Sequence, residues 1–116
     1  MGKIYDWQTL APPIGRIETD GKVYDGVGMY ANLIGRVDGD GSVYVAETFD
    51  EKLVGRVETD GSVYAEAHFG GGIAVGRVET SGKVYNGSGL SATYAGRAEP
   101  PHIFGGGAAL LLLFIR

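Results

Sequence analysis

The chain has 116 residues, no cysteine, 21 glycines and a formal charge of −4. These figures exclude a disulfide scaffold and thiolate metal sites, and the acidic balance argues against nucleic acid, which calls for a basic face. With 44% apolar residues the chain can bury the core of one domain, residues 1–116, yet no apolar run approaches the ~20 residues of a membrane-spanning helix.

In chain order, Met1-Gly2-Lys3 leads into a strand with no apolar leader, so no signal peptide is visible and a cytoplasmic location is expected. Gly2-Lys3-Ile4-Tyr5-Asp6 matches Gly21-Lys22-Val23-Tyr24-Asp25, the second half of a repeat whose first half is missing. Full copies follow as Ile14 to Tyr24, Ile34 to Tyr44, Val54 to Tyr64 and Val75 to Tyr85, then a partial one at Ala95-Gly96-Arg97-Ala98-Glu99. The pairs Gly15-Arg16, Gly35-Arg36, Gly55-Arg56, Gly76-Arg77 and Gly96-Arg97 mark a period of about 20 residues across residues 1–104, the signature of a repeat architecture.

Each full copy reads as a β-hairpin. β-Branched residues flank Gly-Arg in the first strand, Val-Tyr forms the second, and Thr59-Asp60-Gly61 suits a type I turn followed by a G1 bulge. Alternation puts Gly55, Val57 and Val63 on the core face, and Val54, Arg56 and Glu58 on the other. A glycine repeated on a buried face implies backbones approaching too closely for a side chain. The orphan half at Gly2–Asp6 and the damaged half at Gly96–Glu99 are complementary. If they pair, five hairpins close into a ring and no sheet edge is left exposed. His102-Ile103-Phe104 is the rival partner for Arg97, disfavoured by Pro100 and Pro101 in the turn.

The connectors vary, yet five residues after each Tyr stands a large apolar residue: Leu10, Met29, Phe49, Phe69 and Leu90. This spacing predicts connectors that fold back and bury those side chains. If Phe49 and Phe69 are instead exposed, they join Trp7 and His68 as candidate ligand contacts. Gly105-Gly106-Gly107 is expected to end the array, leaving residues 105–116 as a separate segment with an apolar run from Ala108 to Ile115. As a strand this run would need an edge, which a closed ring lacks. As a helix it would have to be surrounded, and the centre of the ring is the expected socket.

The repeated Ile/Val-Gly-Arg-Val-Glu-x-Asp-Gly-x-Val-Tyr, the half repeat at the start and the closing apolar run resemble the five-fold β-flower repeat proteins of bacteria. The resemblance spans the whole chain and implies an all-β closed array with a central plug. The connectors are longer and the tail richer in leucine than that family's pattern, and the family carries no established activity.

Arg16, Arg36, Arg56, Arg77 and Arg97 form a predicted ring, each with an acid two residues on, which reads as a register-setting network more readily than as an anion site. Asp38-Gly39-Asp40-Gly41 glances at calcium loops, but turn chemistry explains every residue. The tyrosines at 5, 24, 44, 64 and 85 can stack ligands or pack on the arginine stems, and packing is the expected role. His68 and His102 stand in unrelated settings, and nothing suggests a catalytic triad, so neither an enzyme nor a cofactor or metal is expected. The expected function is a non-enzymatic binding or structural module for a glycan or protein, with stacking of rings into a homo-oligomer open. The alternative is a peripheral membrane or assembly element using an exposed Ala108–Ile115.

Overall fold

The computed structural model describes residues 2–8, 11–66, 72–87 and 89–115. Ten antiparallel strands close into a barrel: β1 (Gly2–Asp6), β2 (Gly15–Ile17), β3 (Lys22–Tyr24), β4 (Leu33–Val37), β5 (Ser42–Ala46), β6 (Glu51–Val57), β7 (Ser62–Glu66), β8 (Gly72–Val78), β9 (Lys83–Asn86) and β10 (Thr93–Ala98). Four hairpins are continuous in the chain. The fifth is assembled from its two ends, with Ile4 opposite Ala98, Tyr5 opposite Arg97 and Asp6 opposite Gly96. The complementary half repeats therefore pair as the sequence implies, whereas His102-Ile103-Phe104 turns away into a helix.

Turn chemistry fixes each of the four continuous hairpins. In the third, Gly61 N–H donates to Glu58 O (3.0 Å), Glu58 N–H donates to Ser62 O (2.8 Å), and Gly61 adopts φ 91°. These are the bonds of a type I turn with a G1 bulge. The same glycine also holds the next hairpin, since its carbonyl accepts Val78 N–H at 2.8 Å. A Cβ at Gly61 would lie 2.1 Å from Val78 O, so an alanine there meets a rigid neighbour as well as a strained φ. Gly61→Ala should therefore cost at least about 2 kcal/mol by denaturant titration. Gly39→Ala is the control: its φ is not positive, its Cβ would meet nothing within 4 Å, and it should stay within about 0.5 kcal/mol of the parent. Equal losses at the two sites would refute this account of the turns.

Alternation fills the interior as expected. Ile4, Val23, Val43, Val63 and Val84 from the second strands are buried, as are Ile17, Val57, Val78 and Ala98 from the first. One face assignment needs correction. Val54 does not point outward with Arg56. Tyr44 pairs with Leu53 and Val43 with Gly55, so Val54 is the extra residue of a β-bulge and packs against the core. Ile34, Val75 and Ala95 occupy the same position in three further bulges. A bulge re-aims a side chain, and here it turns the residue before each of these glycines inward.

The C-terminal segment plugs the barrel and begins earlier than its apolar run. Helix α1 spans Ile103–Ala109 and continues as a π-helical turn over Leu110–Phe114, where Ile115 N–H bonds to Leu110 O at 3.0 Å. The three glycines expected to end the array lie within α1, and Gly106 and Gly107 are buried. Glycine is a poor helix former, but a Cβ at Gly107 would stand 2.3 Å from Val78 Cγ2. Lack of room against the wall overrides propensity.

The π turn solves a matching problem. Five hairpins around a ring stand on average about 72° apart, whereas successive α-helical side chains turn by about 100°. A bond from residue i+5 to residue i widens the turn beyond the 3.6 residues of an α-helix and brings the step between side chains closer to the spacing of the hairpins. Leu110 then meets Gly96, Leu111 meets Gly76, Leu112 meets Gly55, Leu113 meets Gly35 and Phe114 meets Gly15. Five consecutive side chains enter five glycine slots, one per hairpin. A Cβ at Gly55 would lie 2.2 Å from Tyr64 O and 2.8 Å from Leu112 Cδ1, which is why each slot is glycine.

Candidate functional site

The barrel has two unlike ends. One carries the hairpin turns, built alike from turn to turn. The other carries the connectors, and α1 runs towards it: Gly105 adjoins Ile17 and Val37 near the turns, while Leu113 reaches the Gly35 slot. Between the ends lies a belt of arginine and tyrosine. The guanidinium carbon of each arginine stands over the tyrosine ring of its own hairpin: Arg16 over Tyr24 and Arg36 over Tyr44 at 4.2 Å, Arg56 over Tyr64 at 4.5 Å, Arg77 over Tyr85 at 4.3 Å. Arg97 completes the belt over Tyr5 at 3.6 Å, across the chain closure. The predicted acid two residues on is in place each time: Arg36 meets Asp38, Arg56 and Glu58 stand 2.8 Å apart, Arg97 and Glu99 3.5 Å, and both Arg16–Glu18 and Arg77–Glu79 3.8 Å. The tyrosines thus support arginine stems. The arginines are tied to carboxylates, which leaves little net positive field for an anion.

Two of these arginines also secure connectors. Arg16 Nη1 donates to the carbonyls of Gly26 (2.7 Å) and Gly28 (3.1 Å), and Arg36 bridges Asp38, just past the end of β4, to Glu51, the first residue of β6 after the next connector. The Glu51 carboxylate, with Asp38 behind it, raises the Arg36 guanidinium pKa further above its ordinary value. The connector between β3 and β4 closes on itself: Asn32 N–H donates to Asp25 Oδ1 (2.8 Å) and Asp25 N–H to Asn32 O (3.0 Å). That between β5 and β6 closes through Glu47 N–H to Asp50 O (2.8 Å), and that between β9 and β10 contains a single 3₁₀ turn, Gly89–Ser91.

No protein family, curated protein or solved structure matches the chain. Its sites stand on geometry alone.

What these closed connectors present overturns the fold-back expectation. Phe49 is 98% exposed, Leu90 107%, Tyr30 91% and Met29 84%. The interior is already filled by the plug and by the bulge residues, so the barrel has no slot for connector side chains. Trp7, singled out as a candidate contact, is 63% exposed. Its predicted companions His68 and Phe69 lie outside the described residues, as does Leu10. Sequence reasoning missed Tyr30, Ile73 and Tyr94, which are also exposed at this end. Tyr30 carried a signal, as a connector residue that neither continues a strand pattern nor serves a turn, whereas Ile73 and Tyr94 lie on the outer parts of β8 and β10, which extend further than the repeat pattern implies.

The opposite end holds a cavity of about 360 Å³ between the turns of the first three hairpins and the start of α1. Asp38-Gly39-Asp40-Gly41 belongs to its wall. Among the described residues, no group of three His, Asp or Glu side chains is placed to hold a metal ion. The Asp40 carboxyl is held below the ordinary carboxylate range by the Ser42 backbone N–H, which donates to Oδ1 at 3.0 Å.

Proposed function

We propose that the protein is a non-enzymatic binding module that docks a protein partner through the connector end. The observation that carries this reading is the outward aim of Met29, Tyr30, Phe49 and Leu90 from connectors closed by their own hydrogen bonds. Large apolar side chains held in water at defined positions gain nothing for the fold, and clusters of them mark interaction surfaces. Met and aromatic residues are enriched in protein interfaces. Charge narrows the partner. Among the described residues of this end, Asp6, Asp25, Glu47, Asp50 and Glu66 stand against the single lysine Lys52, while Glu51 is taken up by Arg36. A partner with an apolar patch ringed by Lys and Arg is complementary to such a face. The membrane alternative in its original form needs the tail exposed, whereas Ala108 to Leu112 are buried in the barrel.

Kinship with the β-flower proteins is part of the same proposal. It is supported by the repeated Gly-Arg-Val-Glu-x-Asp-Gly pattern and by a closed barrel with a C-terminal plug.

The test uses a variant carrying Met29→Ser, Tyr30→Ser, Phe49→Ser and Leu90→Ser. Because these side chains bury nothing, its thermal midpoint should stay within a few degrees of the parent, about the shift that 0.5 kcal/mol produces. A peptide-display library panned on the parent should enrich basic, apolar clones that bind the variant at least about tenfold more weakly. A glycan array run in parallel would move the reading to carbohydrate if it alone gave signals that the variant loses. Enriched clones that bind parent and variant equally would refute the connector face.

A further inference from the structure

The connectors do not hold their exposed side chains alike. That between β5 and β6 is a β-ladder almost to its tip: Val45 stands opposite Lys52 and Ala46 opposite Glu51, one step before the Glu47–Asp50 closure. Asp50 Oδ1 accepts the Glu51 N–H at 2.7 Å, and Phe49 sits in the turn itself. Through Glu51 this arm meets Arg36, which also bonds Asp38 and lies over Tyr44, so one side chain joins β4, β5 and β6. Among the described residues it is the only ion pair between different hairpins. Building on the connector-face reading, we propose that Phe49 is the anchoring side chain of that face and that the Arg36–Glu51 pair is its positioning device.

Preorganisation decides which of the exposed side chains carries the affinity. Binding costs the freedom of every group it orders, and the cost is least for a stiff side chain on a backbone already fixed. Phe49 has fewer rotatable bonds than Met29 and stands on a paired ladder. Met29 and Tyr30 belong to a longer loop whose paired strands stop at its neck, where Asp25 and Asn32 close it. Leu90 rides on an isolated 3₁₀ turn, with Ala92 N–H donating to Gly89 O at 3.3 Å. In protein interfaces a few well-placed side chains dominate and the rest exclude water.

Charge defines what meets the ring. Glu47 and Asp50 stand on either side of Phe49 in the chain, and among the described residues neither has an ion-pair partner, whereas Glu51 is neutralised by Arg36. The segment that covers the phenyl ring therefore presents an apolar residue to it with a Lys or Arg alongside, where the cation is attracted to a carboxylate and to the ring face together.

The experiment takes the peptide clones enriched on the parent chain and measures their affinity for single variants of it. Phe49→Ser should weaken binding at least about tenfold, while Met29→Ser, Tyr30→Ser and Leu90→Ser each stay within about fivefold. Positioning is read with a removable pin. Ala46 and Glu51 are a non-hydrogen-bonded pair, whose Cα atoms stand about 4.5 Å apart, within the range a disulfide spans. The chain has no cysteine of its own, so Ala46→Cys with Glu51→Cys removes the contact to Arg36 and replaces it with a bond that reductant cuts. Reduced, this variant should bind roughly two- to fivefold more weakly than the parent, the range an exposed ion pair supplies, and Glu51→Gln should match it. Oxidised, it should bind as the parent does. The thermal midpoint of Glu51→Gln should stay within a few degrees of the parent, which separates a positioned tip from a weakened fold. Clones that distinguish the parent from the quadruple variant but not from Phe49→Ser leave the connector face standing and overturn the anchor. Equal binding by oxidised and reduced forms, or failure of the two thiols to cross-link, overturns the positioning pair. Enriched clones in which no Lys or Arg adjoins an apolar residue overturn the partner chemistry. Clones that bind the parent and the quadruple variant alike overturn the connector face and this inference together.

Discussion

Ending the chain after Pro101 should abolish cooperative folding. Leu110, Leu111 and Leu112 are buried in the barrel, with Ala108 and Ala109 behind them. Burying one leucine is worth ~1.5–3 kcal/mol, so three contribute ~5–9 kcal/mol against a total stability of ~5–15 kcal/mol for a domain. The loss is also structural. Without the plug, five glycine slots line an apolar hole, and no strand carries side chains long enough to fill it. A thermal melt by circular dichroism should lose its sharp transition, and gel filtration should show an expanded or aggregated chain. A truncated chain that still melts sharply within a few degrees of the parent would remove the plug from the core. Leu112→Ala alone should cost ~2–5 kcal/mol. Shaving that leucine should rescue Gly55→Ala only in part, because the nearer obstacle to the new Cβ is the Tyr64 carbonyl, which is backbone and cannot move aside.

The parts of this fold that could be read in the sequence are those set by local rules. Gly61 follows from turn chemistry within five residues, and Val57 and Val63 from period-two alternation. The Arg56–Glu58 pair follows from the fact that residues two apart share a face. Closure was readable because each terminus lacks what the other has. The bulges were not readable. One extra residue shifts alternation by one, so strict alternation places Val54 outside although it packs inside. Nor was the helical start at Ile103, because glycine propensity opposes it and only the nearness of Val78 explains it. The connector error has the same root. A regular position implies a packing position, but whether Phe49 packs depends on free interior volume, which is decided by the plug and the bulges elsewhere in the chain.

Closure makes the second large prediction. Deleting residues 2 to 6 should convert a monodisperse barrel into an aggregating chain, because β1 supplies both hydrogen-bonded edges and the buried Ile4 of the fifth hairpin. Without it β2 and β10 each present an unpaired edge beside the apolar interior, the combination that recruits strands from other molecules. A mild drop in thermal midpoint with no change in size would refute the closed ring. A covalent test fixes the register. Glu99 N–H donates to Lys3 O at 2.9 Å, whereas Ala98 N–H donates the other way, to Gly82 O at 2.8 Å. Ile4 and Ala98 are therefore a non-hydrogen-bonded pair, whose Cα atoms stand about 4.5 Å apart, within the range a disulfide spans. Under oxidising conditions Ile4→Cys with Ala98→Cys should cross-link within the monomer. It should raise stability by up to about 4 kcal/mol, since the bond closes nearly the whole chain into a loop. Lys3→Cys with Ala98→Cys should fail to cross-link, because a one-residue shift places the second thiol on the opposite face of the sheet. If that shifted pair were the one to close, the register would be off by one, and Tyr5 could not lie beneath Arg97 as the fifth member of the belt.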